Sequence, residues 1–395
     1  MRDLPVEEAR ARILSGATAP TFETVALADA IGRVLAAPVS ATRAQPPFDA
    51  SAMDGWAVAG PGERFAIVGE SAAGHGHRQP LAAGEAVRIF TGAPVPAGAT
   101  RVVLQEVCER LDDWVKTPPA DHDPSHIRRS GGDFEAGALL LAAGVRLDPW
   151  RLSLAAAAGR ASLEVARRPD VVVLSTGEEI TPAGTTPKPD QIFDSGGPTL
   201  TALIERWGGA ARRLASVGDD ADAIAAAVAA AGGELIVTLG GASVGDHDLV
   251  KPALARLGLE LAVETVRLRP GKPTWFGRLA DGRRVLGLPG NPASALVCAE
   301  LFLRPLINAL TGAAPGPRMV SARLAVAAAA NGPREHWARA RSEIRDGVLY
   351  ATPMGDQDSS LVSVFAEADA LVRRPAGAPA AAAGAVVEIL PLERL

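Results

Sequence analysis

The sequence predicts a multidomain α/β plus β protein: a central α/β domain on a parallel-type sheet, an inserted β-domain, a small C-terminal β-domain and an elongated N-terminal piece. Three observations carry this. A chain of 395 residues exceeds what one hydrophobic core ordinarily organises. From Asp170 to Leu303, near-continuous apolar runs alternate with helical, alanine-rich stretches, the pattern of strand–helix–strand units with right-handed crossovers. Residues 60–145 and those beyond 318 instead carry short apolar runs broken by Gly, Pro and Asp, as small β modules do. The boundaries read as 1–60 with 140–168 for the N-terminal piece, 61–139 for the inserted β-domain, 169–311 for the α/β domain and 318–395 for the C-terminal β-domain.

In chain order, Val6–Ser15 has helical spacing with Glu7 and Glu8 in its first turn, and Thr24–Leu35 reads as a second short helix. A proline-stiffened loop, Pro46 to Val58, delivers Asp54 just before a strand. Asp170–Ser175 is a strand apolar on both faces, ending at Thr176-Gly177-Glu178-Glu179. Gly196–Trp207 reads as helix, Ala210–Val217 as strand, Ala221–Ala231 as helix and Glu234–Leu239 as strand. Thr274–Phe276 and Arg284–Leu288 form a hairpin across Asp281-Gly282. Pro289-Gly290-Asn291-Pro292 then puts Asn at an N-cap and Pro at the first position of a helix, Ala293–Leu303. Beyond a Pro/Gly-rich linker at 312–318, strands are expected around 321–326, 338–344, 348–352, 371–373 and 386–390.

Composition narrows the function. A net charge of −5 leaves no basic field for nucleic-acid phosphates, so small ligands are the expected partners. Cys108 and Cys298 form no CxxC, and no secretory signal pattern opens the chain, which points to a reducing cytoplasm. No apolar run reaches the length of about eighteen residues needed to span a bilayer.

In a sheet of this kind ligands sit at the carboxyl ends of the strands. Three unusual loops leave those ends: Ser175 to Glu179, the glycine-rich stretch Gly240 to Asp248, and Gly287 to Pro292. They are expected to line one crevice, with Ser175, Gly177, Gly240, Gly241, Ser243, Pro289, Asn291 and Pro292 as candidate cofactor-binding positions. Paired glycines let backbone N–H groups approach a phosphate, and Glu178, Glu179, Asp246 and Asp248 supply oxygens for a hard cation. Arg269-Pro270-Gly271-Lys272-Pro273 is a rigid cationic turn, since two prolines cannot donate and Gly271 is free to take positive φ. The same loops read equally as tight βα turns with solvated acids. His75 and His77, and Asp121-His122-Asp123-Pro124-Ser125-His126, lie in polar stretches without further ligands nearby and read as solvated or structural. No GxSxG elbow is present.

Taken together, SAMDGW at 51–56, TGAPVP at 91–96, STGEE at 175–179, GGASVGDHD at 240–248, RPGKP at 269–273 and GLPGNP at 287–292 resemble a known family, in its order and across almost the whole chain. The sequence is similar to the MoeA molybdopterin molybdenumtransferases, relatives of the gephyrin E domain. The resemblance implies a homodimer of four-part subunits with a MogA-like central domain that binds adenylylated molybdopterin. It implies molybdenum cofactor biosynthesis: molybdate is inserted into the dithiolene and AMP is released, with Mg²⁺ assisting. By motif, Asp54, Thr91, Asp133, Glu179, Asp219 and Asp248 correspond to polar residues of the family's active cleft, with Glu179 and Asp248 as metal ligands. Arg269, Lys272 and Ser294 correspond to groups that bind molybdate or phosphate, Lys272 also to a catalytic group. Arg339 and Ser359 or Ser363 correspond to further oxyanion contacts. Molybdopterin adenylyltransferase and apo-molybdoenzymes are the implied protein partners, with no nucleic acid and no membrane. The chain departs from its relatives at Ala50, Trp56 and Asp194-Ser195, where they commonly carry Asn, Tyr and a Ser-Asn pair. Two alternatives remain: a molybdopterin adenylyltransferase on the same α/β domain, and a non-catalytic gephyrin-like scaffold or cofactor-delivery protein.

Overall fold

The computed structural model describes residues 1–119, 125–241 and 249–393. The acids and histidine at 121–123 and the loop at 242–248, including Ser243, Asp246 and Asp248, lie outside the described residues. The chain divides into two compact units: Met1–Glu23, Gly32–Val34 and Val165–Leu395 in one, Thr24–Ile31 and Leu35–Glu164 in the other.

The first unit holds a six-stranded sheet. Its elements are Asp170–Ser175 (β1), Gly196–Arg206 (α1), Ala210–Arg213 (β2), Ala221–Ala230 (α2), Leu235–Leu239 (β3), Val250–Ala255 (α3), Glu260–Val263 (β4), Trp275–Arg278 (β5) and Arg284–Leu288 (β6). The strand order is β2-β1-β3-β6-β5-β4. Neighbours among β2, β1, β3 and β6 run parallel, whereas β5 is antiparallel to β6 and to β4. The sheet is therefore mixed rather than parallel throughout, because the turn at Asp281-Gly282, with Gly282 at φ 87°, is too short for a crossover. Along β1 the side chains alternate between faces. Val171 and Val173 pack with Leu200 and Ile204 of α1, while Val172 and Leu174 pack with Ile224, Val228, Val250 and Leu254 of α2 and α3. Helices on both faces explain why the strand reads as unbroken apolar sequence.

After β6 the chain enters Pro292–Cys298 (α4), a π-helical stretch Ala299–Leu303, and Arg304–Leu310 (α5). Helical structure thus extends past the end expected at Leu303. Pro305 has no N–H to return to the Leu301 carbonyl, which accounts for the widened turn ahead of it. By length and composition Pro292–Leu310 could cross a membrane, but 78% of it is buried in the protein, where Leu301, Phe302, Leu306 and Ile307 are fully enclosed.

The C-terminal strands are Val320–Leu324 (β7), Glu335–Arg345 (β8), Val348–Pro353 (β9), Ala370–Arg374 (β10) and Val386–Pro391 (β11), with Ser363–Glu367 (α6) between β9 and β10. They pair in the order β8-β9-β7-β11-β10, and β8 also pairs with β10, closing the sheet on itself. Leu268–Arg269, at the start of the cationic turn, adds to β8 in parallel, with Arg269 opposite His336.

The second unit carries a six-stranded sheet in the order Arg101–Leu104, Gly55–Val58, Glu85–Ile89, Arg64–Ser71, Trp114–Lys116, Glu109–Leu111. The sheet takes in Gly55, ahead of the boundary expected at residue 61. The helix expected over 24–35 does not form: Phe22–Ala26 is a strand and Leu27–Asp29 a short 3₁₀ turn. Thr24 and Val25 are β-branched and favour extended backbone, which outweighs the helical spacing.

Candidate functional site

A cavity of about 860 Å³ opens at the carboxyl ends of β1, β3 and β6, where the alternation of strand and helix predicts it. Of the candidate positions, Ser175, Gly177, Glu179, Asp219, Gly240, Gly241, Pro289, Asn291 and Pro292 line it.

The wall starts at the end of β1. Ser175 Oγ donates to Asp194 Oδ2 at 2.8 Å, and Gly197 N at the start of α1 donates to Asp194 Oδ1 at 2.8 Å. Arg213 Nη1 lies 3.5 Å from the same carboxylate. Asp194 therefore ties the strand end to the helix start. A Cβ at Gly197 would lie 2.5 Å from Asp194 Oδ2, so glycine is required for this closure. Glu179 and Asp219 are exposed at the cavity wall, with the Glu179 carboxylate folded over Gly177.

Gly240, in the loop after β3, is engaged by packing within the protein. Gly240 N–H donates to Leu288 O at 3.3 Å, so this donor is engaged within the protein. Glycine is needed because the backbone sits at φ 90° and a Cβ would meet Thr176 O at 2.6 Å. At the β6 exit Asn291 occupies the N-cap position but its side chain makes no cap hydrogen bond. Its Nδ2 donates instead to Ser359 Oγ at 2.9 Å, and Ala293 N, the first free helix donor, gives its hydrogen to Ser359 O at 3.1 Å. Where the sequence expects a helix terminus open to an anion, the structure seats a C-terminal loop.

Ile192 and Phe193, 58% and 48% exposed, form an apolar part of the lining, and Ser360 and Val362 line it from the loop before α6. Pro273 completes it next to Lys272, which is exposed. Ile192-Phe193 was legible only as an apolar pair ending the polar, Pro/Thr-rich stretch 181–191; Ser360 and Val362 carry no local signal.

Ser294 is buried in α4, and Ser363 is exposed at the start of α6. Arg269 faces a smaller cavity of about 250 Å³ with His336, Gln357 and Arg374. There burial pushes His336 down to about 4, helped by Arg269, Arg339 and Arg374. Arg339 is completely buried, its Nη2 donating to Asp358 O at 2.8 Å, and burial lowers its pKa.

In the other unit, Thr91 N and Oγ1 both donate to Asp54 Oδ1, at 2.7 and 2.8 Å. These bonds, the backbone one first, hold the Asp54 carboxyl below its ordinary range. Asp133 is exposed on the turn after Arg129, with its N donating to Gln45 O at 2.9 Å.

Three family models cover nearly all of the chain: the MoeA N-terminal region (domain I and II) at 4–159, a probable molybdopterin binding domain at 172–309 and the MoeA C-terminal region (domain IV) at 321–392. A molybdopterin molybdenumtransferase of Nostoc is 33% identical over 387 residues, 94% of this chain and 88% of the relative. The chain belongs to the molybdopterin molybdenumtransferase family. Another family member, from Bacillus subtilis, is 31% identical over 403 residues, 98% of this chain and 94% of its own. Among solved structures, a molybdopterin biosynthesis MoeA protein from Pyrococcus horikosii superposes with a TM-score of 0.80 at 31% identity, covering 100% of both chains. The match to a molybdopterin binding domain covers β1 through most of α5, and so contains the strand ends that build the larger cavity.

Proposed function

We propose that this enzyme, a transferase of molybdenum cofactor biosynthesis, inserts molybdate into adenylylated molybdopterin, releasing AMP and forming the molybdenum cofactor. The observation that carries the reading is the 860 Å³ cavity within the family's molybdopterin binding domain, of a size for a small organic ligand and lined by both apolar and acidic groups. Ile192 and Phe193 offer apolar surface to a flat ring. Exposed Lys272 beside the cavity, with Arg269 in the same turn, offsets the repulsion between a molybdate dianion and a phosphorylated ligand. Ser294, Arg339, Ser359 and Ser363 are carried as further oxyanion contacts by motif. Asp54, Thr91, Asp133 and Asp248 are carried by motif alone as further polar groups of the reaction.

Among the described residues no cluster of three His, Cys, Asp or Glu gathers on one point. Mg²⁺ needs fewer, since it keeps several waters and takes one or two carboxylates plus phosphate oxygens. Glu179 and Asp219 on the cavity wall have that donor chemistry, together with Asp248. A bound Mg²⁺ would supply charge to offset that of the phosphates and the departing AMP. We assign the working protein to the cytoplasm as a homodimer. Its candidate protein partners are molybdopterin adenylyltransferase upstream and apo-molybdoenzymes downstream.

The deciding experiment incubates purified protein with adenylylated molybdopterin and follows AMP release with and without molybdate. Molybdate-dependent AMP release is expected. Release without molybdate, or none under either condition, contradicts the proposal.

A further inference from the structure

The loop between β9 and α6 brings Ser360 and Val362 to the cavity, although its own sequence, Met354 to Val362, has neither helix nor strand. Its placement comes from side chains at its two ends. β9 stops at Pro353; Met354 N still donates to Arg339 O at 2.8 Å, but Arg339 N in β8 gives its hydrogen to a side chain instead of to that strand. The carboxamide of Gln357 inserts there between the two backbones. Gln357 Oε1 accepts from Arg339 N at 2.9 Å, and Nε2 donates to Arg339 O and to Met354 O, each at 2.9 Å. One side chain thus bridges Arg339 and Met354 where the strand pairing runs out.

From that anchor the next residues are fixed in turn. Asp358 O accepts from the buried Arg339 guanidinium, and Asp358 Oδ1 accepts from Ser360 N and Oγ at 2.8 and 2.6 Å. Ser359 then docks on Asn291 and Ala293 at the exit of β6. Between the Gln357 anchor on the barrel and the Asn291 anchor on the α/β domain, Ser360 has little freedom to leave the cavity wall. Gln357 lines the smaller cavity and not the larger one, so any effect on the reaction passes through the groups it holds, Arg339, Asp358 and Ser359.

We propose that Gln357 is a positioning residue of the reaction, whose carboxamide bridges Arg339 and Met354 and so holds Ser360 and Val362 against the bound pterin nucleotide. This rests on the functional reading above. The role requires both the acceptor and the donor of the carboxamide, because Arg339 N and Arg339 O face it together. Gln357→Glu therefore retains one bond and turns an acceptor toward two carbonyls.

The test compares the parent with Gln357→Ala, Gln357→Glu and a control, Asn331→Ala. Asn331 Nδ2 donates to Arg334 O, Arg374 O and Pro375 O in the same barrel but makes no bond to this loop. Both Gln357 variants are expected to raise KM for adenylylated molybdopterin about tenfold with kcat within about twofold, and to speed amide hydrogen exchange at 359–362 about tenfold. Asn331→Ala is expected to change neither by more than about twofold while lowering Tm comparably. Unchanged exchange in Gln357→Ala overturns the proposal, as does faster exchange with unchanged KM, or an equal KM rise in Asn331→Ala. If the parent shows no molybdate-dependent AMP release, the functional reading fails, and the exchange measurement still decides whether Gln357 holds the loop.

Discussion

Replacing Gly271 by alanine tests how tightly the cationic turn is specified. Gly271 sits at φ 113°, and a Cβ built there lies 2.2 Å from Cys298 Sγ and 3.0 Å from Leu268 Cδ2. Two costs follow. Holding a non-glycine residue in that backbone region costs roughly 1–3 kcal/mol, and forcing a methyl group into a packed interior costs roughly another 1–3 kcal/mol. The thiol cannot move aside as an exposed group would: Cys298 is fully buried, receives a hydrogen bond from Thr274 Oγ1 at 3.0 Å, and is pushed up to about 12 by burial, so it is a neutral packing group. Gly271→Ala should therefore lose roughly 2–6 kcal/mol and lower Tm by roughly 5–15 °C. Thermal unfolding by circular dichroism reads it. Gly271→Ala combined with Cys298→Ala removes the thiol but not the backbone strain, so it should recover roughly 1–3 kcal/mol relative to additivity. A single variant as stable as the parent, or a double variant with no coupling, refutes the argument that this turn is held by close packing on α4.

Three further outcomes follow from the site. Lys272→Ala should fold with the parent's Tm, because the side chain is exposed, and should lose molybdate insertion; a variant that releases AMP at the parent's rate removes Lys272 from the site. His336 protonates near 4 in the folded chain and near ~6.5 when unfolded, so its contribution to stability is complete above ~6.5 and falls as pH drops toward 4. After discounting for partial exposure the loss is on the order of 2 kcal/mol, and Tm against pH should be flatter in His336→Gln than in the parent. The Asp54 carboxyl should titrate below its ordinary value of about 3.9, and Thr91→Val, which deletes one of two donors, should move it up; carbon NMR of the carboxyl group reads both.

Much of the central fold is legible because its signals are local. Asp170–Ser175 reads as a buried strand from six residues, and Asp281-Gly282 reads as a hairpin turn from two. The larger cavity is legible to the same extent: it opens at the strand ends whose loops stand out in the sequence. What the glycines do there is less so. Gly240 reads as a phosphate cradle, yet its N–H is engaged by Leu288 and its missing side chain makes room for a carbonyl of Thr176. A glycine sequence signals close approach of something, and only the tertiary neighbours decide whether that something is a ligand or the protein itself. The failed helix at 24–35 has the same origin, a weak local period overridden by β-branched residues in an extended segment.

The C-terminal barrel shows why the rest of the site could not be read in sequence. Leu268–Arg269 pairs with Glu335 and His336, so the cationic turn is braced by a strand more than sixty residues downstream. Ser359 satisfies both the side chain of Asn291 and the N–H of Ala293. Each contact meets a need that is visible locally, an unpaired helix donor or a turn with few backbone partners, while its partner is supplied from elsewhere in the chain. The need identifies where to look, and the fold supplies what answers it. A helix start expected to hold an anion directly thus becomes the seat of a loop from the C-terminal barrel, which adds Ser360 and Val362 to the wall of the cavity above the strand ends.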